Sequence, residues 1–133
     1  MSGLTDFRVA LQQQLSDALE IDFVAGRLEG PIESRDLGSC YVQRVSEVSG
    51  NIQEQDMIAI VRVYKKFNPP QDPEHPYDPA PLELVLDQLQ ASVKAHQTGL
   101  PSSWFQRLVS GEIDPADQGV EVAIIGRGSN PAV

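Results

Sequence analysis

The chain has 133 residues, a formal net charge of −9, 41% apolar and 22% charged residues, one cysteine and two histidines. It is long enough to bury a core without metal or disulfide staples, and its acidity argues against duplex nucleic acid as a partner, because such affinity comes mainly from Lys and Arg neutralising phosphates. A lone thiol excludes an internal disulfide, and no stretch approaches the roughly 18 consecutive apolar residues of a membrane-spanning helix.

The N-terminus, Met-Ser-Gly-Leu-Thr-Asp, shows neither a basic nor an apolar leader region, so synthesis in a cytoplasm is expected. Leu4, Phe7, Leu11, Leu15 and Ala18/Leu19 recur at intervals of three and four and predict a helix over Leu4–Leu19. Ser2 or Thr5 can cap it, and Asp6 suits its first turn. Ile21–Leu28 reads as a first strand stopped by Gly30-Pro31, and Ile32–Gly38 as a polar turn. Ser39–Val48 reads as a second strand, with Cys40 and Val42 on one face and Tyr41, Gln43 and Val45 on the other.

Asp56–Lys66 is the longest apolar run and is rich in β-branched residues, which makes it the expected central strand of a sheet. The short turns between these strands favour antiparallel pairing. Asn68–Pro81 then holds six of the ten prolines and is expected to be an extended, stiff surface loop, since proline lacks an amide donor and fixes φ. Two readings of it stand side by side, an arm reaching a neighbouring subunit and a plain linker.

Pro81 suits a first helical turn, and Leu82, Val85, Leu86, Leu89 and Val93 make a second apolar stripe ending near Gln97. Ser102–Gly111 fits either a short capped helix burying Trp104 and Leu108 or the first half of a hairpin. Asp114–Gly119 turns the chain, Val120–Ile125 forms a last strand ended by Gly126, and residues 126–133 form a short tail. The expected fold is one α+β domain over residues 1–133, with the proline-rich loop at 68–81. It has a mostly antiparallel sheet of about four strands and two amphipathic helices on one face, in the order α-β-β-β-α-β.

No pattern in the chain carries chemistry. His75 and His96 have no partner at a metal-ligand spacing, so no metal site is read. Glu20 with Asp22 and Asp114 with Asp117 sit at element ends and turns, where acids cap and solubilise. Cys40 lies within a strand and reads as a small buried hydrophobe. Gly126–Asn130 is glycine-rich, but no helix follows it to receive a phosphate. No catalytic residue and no cofactor are therefore assigned. Arg62, Lys65 and Lys66 form the one local basic cluster. It is either a solvated strand end that neutralises nearby acids or a set of charges for an adjacent subunit.

The stretches Leu4–Leu19, Ile21–Leu28, Ser39–Val48, Asp56–Phe67, Leu82–Gln97 and Val120–Ile125 resemble, in order and size, the tail terminator (tail completion) proteins of long-tailed bacteriophages. The resemblance implies a structural virion protein of the tail or neck with no enzymatic activity. It would self-associate into a ring, usually a hexamer, that caps the tail tube protein and meets the head-connector and neck proteins. DNA would only pass through, repelled by an acidic inner surface, and no membrane is involved. Arg62, Lys65, Lys66, Pro69, Pro70, His75 and Tyr77 are the expected subunit-interface residues. A head–tail connector of the same virion class and a small cytoplasmic binding domain are the alternatives.

Overall fold

A computed structural model describes residues 3–47, 54–66, 80–95 and 105–129. The protein is an α+β structure, with two helices and a five-stranded mixed sheet. In chain order the elements are α1 (Gly3–Leu19), β1 (Phe23–Ala25), β2 (Leu37–Glu47), β3 (Glu54–Tyr64), α2 (Ala80–Ala95), β4 (Phe105–Asp114) and β5 (Gly119–Ser129). The sheet order is β1-β2-β3-β5-β4, which puts the apolar, β-branched β3 in the middle, as its composition predicts.

Both helices cover one face of the sheet. The α1 stripe of Phe7, Leu11, Leu15 and Leu19 is buried, as are Leu82, Val85, Leu89 and Val93 of α2. They pack on Cys40 of β2, on Met57, Ala59, Val61 and Val63 of β3, and on Val120, Val122 and Ile124 of β5. These strand residues alternate, as the two-residue period of a strand requires when one face meets a core. Helix α2 begins at Ala80 with Pro81 in its first turn, and carries Glu83 in that turn and Lys94 in its last, both favourable to the helix dipole.

Two contacts lock the layers together. The Phe7 ring lies over Gly126 of β5, where any Cβ would overlap it. An amide pair of buried Gln106 and half-buried Gln14 joins α1 to β4: Gln14 Nε2 donates to Gln106 Oε1 at 2.8 Å, and Gln106 Nε2 donates back to Gln14 Oε1 at 2.9 Å. Gln14 Nε2 also reaches Ser92 Oγ of α2 at 3.1 Å. Three elements thus meet at one polar point inside an apolar layer, and its geometry fixes how the helices sit on the sheet.

The structure corrects the sequence reading at three places. The sheet has five strands where about four were expected, because Ser102–Gly111 contributes the first half of a hairpin and its residues from Phe105 onward are β4. Leu108 is half-buried there, and Trp104 lies outside the described residues. The first strand is only Phe23–Ala25 and runs parallel to β2, because Gly26, at φ +100°, turns the chain off the sheet. The Leu28 carbonyl beyond it is taken by side chains of β3. The stretch from Gly126 to Ser129 is strand, where a tail was expected, because β3 begins at Glu54 and its first residues pair with β5 as far as Ser129. The helices keep their predicted places: α1 runs to Leu19 as expected, and α2 is described from Ala80 to Ala95, with Gln97 outside the described residues.

A bare sheet face with an acidic end

The second face of the sheet carries no described element. The strand register arranges its side chains in rows that cross β2, β3, β5 and β4. One row is Gln43, Ile58, Ile125 and Arg107, and the next is Tyr41, Ile60, Ala123 and Ser110. Then come Ser39, Arg62, Glu121 and Glu112, and last Leu37, Tyr64, Gly119 and Asp114. The first two rows are apolar at their centre, with Ile58, Ile60 and Ile125 half-buried and Tyr41 42% exposed. The last two are charged.

Arg62 sits at the centre of the charged end. Its Nε donates to Glu121 Oε1 at 2.6 Å and its Nη1 to the Leu28 carbonyl at 3.1 Å, while Glu29 Oε1 lies 3.4 Å from Nη1. Only 15% of its side chain is exposed. The Glu121 hydrogen bond, above all, holds the guanidinium above its ordinary pKa, so this charge is fixed and already compensated. The Tyr64 hydroxyl donates to the same Leu28 carbonyl at 3.2 Å, and the Tyr64 ring fills the space beside Gly119 that a Cβ would need. Together these bonds hold the Leu28–Gly30 segment against the end of the sheet.

Around Arg62 a concavity of about 410 Å³ is lined by five carboxylates, those of Glu29, Glu112, Asp114, Asp117 and Glu121. Asp114 Oδ1 also accepts from the amides of Ala116 and Asp117 at 3.0 and 3.2 Å, which sets the turn into β5. One guanidinium cannot offset five acids, so this end of the face is negative. A second concavity, of about 560 Å³, continues from Arg62 and Glu121 over Ile60, Tyr41 and Gln43.

The basic cluster read from the sequence is divided by the fold. Strand β3 ends at Tyr64, so Arg62 lies on the strand and Lys65 and Lys66 lie beyond it. Lys65 Nζ pairs with Asp36 Oδ2 at 2.7 Å, and the Lys66 amide donates to Asp36 Oδ1 at 2.7 Å. Burial alone would raise the Asp36 pKa, but the Lys65 ammonium and the Lys66 amide outweigh it and hold the carboxyl below its usual range. Arg62 and Lys65 thus neutralise acids of their own chain, and Lys66 is exposed. Pro69, Pro70, His75 and Tyr77 lie outside the described residues, as does His96.

Burial pushes the Cys40 thiol up to about 12, so it is a packed hydrophobe with no thiolate at neutral pH. Among the described residues no group of three His, Cys, Asp or Glu side chains is placed to hold a metal, and no helix is long and apolar enough to cross a membrane.

Sequence reasoning named Asp114 and Asp117 only as turn acids and missed Glu29, Glu112 and Glu121. Strand alternation could have found Glu121, since it stands between Val120 and Val122 and must face away from the core. Glu29 and Asp36 gave no signal, because tertiary folding alone brings Glu29 to Arg62 and Asp36 to Lys65. No protein-family model matches the chain, and no curated protein matches it either.

Proposed function

We propose that the chain is a structural ring subunit of a long-tailed phage virion, a tail terminator that caps the tail tube and presents a face to the head connector. Its sheet forms the ring wall, with the helices outside and the bare face turned to the channel. The observation that carries this reading is the asymmetry of the sheet: one face is sealed by α1 and α2, and the other carries no helix or strand among the described residues and is acidic at one end. A channel wall needs such a surface, because fixed carboxylates repel the phosphates of DNA in transit and keep it from sticking. The internal pairing of Arg62 supports the same role, since a compensated guanidinium offers little to a passing phosphate.

The resemblance in element order and size supports the assignment to a tail terminator in particular. Function in this reading resides in shape and interfaces, and no bond is made or broken. Native mass measurement with negative-stain imaging over a concentration series, with and without tail tubes, tests it. Closed rings of about six subunits, free or seated on tube ends, are expected. A strict monomer at every concentration, with tube ends left uncapped, would overturn the reading.

A further inference from the structure

Among the described residues, β4 has no strand on its outer side and most of the outer side of β2 is unpaired. Strand β4 is an edge strand of ten residues without proline or lysine. At the other side β1 pairs only with Gly38–Cys40, which leaves the edge of β2 without a described strand partner from Tyr41 onward. Backbone direction can be followed across the sheet. The Gly38 amide donates to the Asp22 carbonyl and the Cys40 carbonyl accepts from Gly26, so these residues turn their main chains outward, and alternation turns Val42 outward as well. Ser39 and Arg62 are then a hydrogen-bonded pair, Val61 faces Val122, Glu121 faces Glu112, and Leu108, Gly111 and Ile113 of β4 point outward at the far edge. The outward backbone groups of Val42, and of Leu108, Gly111 and Ile113, have no backbone partner among the described residues.

The two edges match in direction and in phase. Three antiparallel steps separate β2 from β4, so β4 of one copy lies antiparallel to β2 of a copy placed beside it by rotation. On both edges the outward amides belong to residues whose side chains lie on the helix-covered face. Pairing the edges therefore keeps all helices on one side and all bare faces on the other. An unpaired strand edge is a template for another strand.

We infer that copies of this chain join head to tail by β4 pairing with the Tyr41–Glu47 edge of β2 in the next copy, which continues the sheet from subunit to subunit. The contact uses two different surfaces, so repetition closes a ring if the rotation per step allows it. This rests on the ring reading above and specifies the bond that builds it.

In such a junction the bare-face residues form the non-hydrogen-bonded pairs, whose side chains approach closest. Tyr41 and Gln43 on β2, and Ser110 and Glu112 on β4, are exposed and accessible to this test. Full-length chains carrying one substitution on each edge (Tyr41→Cys or Gln43→Cys with Ser110→Cys or Glu112→Cys) should give, on mild oxidation, a ladder of covalent multimers in at least one register. Chains with a single substitution should give none, and the buried Cys40 should stay silent. Dimers from a β4-only variant would overturn the inference in favour of two-fold β4–β4 pairing. Rings seen by native mass with no ladder in any register would also overturn it while leaving the ring reading standing. A monomer that caps no tube and forms no ladder would overturn both.

Discussion

The two faces of this sheet are built from the same strands, yet they do opposite work. On the helix-covered side every second residue of β3, from Met57 to Val63, is fully buried against leucines and valines. On the other side Ile58, Ile60 and Arg62 are half-buried, and five carboxylates gather around Arg62. The difference is one of partners more than of composition, since Ile58 and Ile60 are as apolar as Ala59 and Val61. A strand face carries stability where a helix covers it and keeps solvent-facing side chains where no described element does.

Substitutions can break this division. Leu15→Ala, on the covered side, should cost about 2–5 kcal/mol in chemical denaturation, because the site is fully enclosed and leaves a cavity. Tyr41→Ala, on the bare side, should cost far less, and an equal cost would erase the distinction. Gln14→Ala should lose about 1–3 kcal/mol by stranding Gln106, which is 2% exposed, whereas replacing both glutamines with leucine should recover most of that loss.

Surface charge sharpens the contrast from the other side. Glu112→Lys with Asp117→Lys should leave the unfolding midpoint nearly unchanged, within about 0.5 kcal/mol per site, because neither is buried. The same pair should make the assembled protein retain DNA in a salt-dependent manner that the unaltered protein lacks, as a filter-retention assay would read.

The smallest expected effect concerns Asp36. Its depressed pKa contributes stability that is present above the ordinary carboxylate value near about 4 and lost as pH falls through the lower folded value. Asp36→Asn should remove about 0.2–1 kcal/mol at neutral pH, a small figure because the pair is about a third exposed. It should also flatten the acid limb of a stability-against-pH curve.

The covered face was largely legible in the sequence and the bare face was not, for a physical reason. Core positions announce themselves by period, as Phe7, Leu11 and Leu15 do along α1 and Met57, Ala59, Val61 and Val63 do along β3. The bare face is assembled from distant pieces. Glu29 reaches Arg62 only because the chain leaves the sheet at Gly26 and returns over Tyr64. The parallel pairing of β1 was hidden in the same way, since a short connection suggests a hairpin unless the intervening loop is seen to cross back. Strand β4 was ambiguous because a bulge between Leu108 and Ser110 interrupts the alternation that marks a strand. The polar residue Gln106 gave no hint of burial, since its partner Gln14 lies on another element entirely.

The most direct test of the central claim is an electron-microscopy map of the assembled protein at a resolution that separates helices from strands. The account expects a continuous strand wall facing the channel, with α1 and α2 on the outer surface and the Glu112–Glu121 end of the face open to the lumen. Helices lining the channel, or sheets separated from subunit to subunit by side-chain contacts alone, would contradict it.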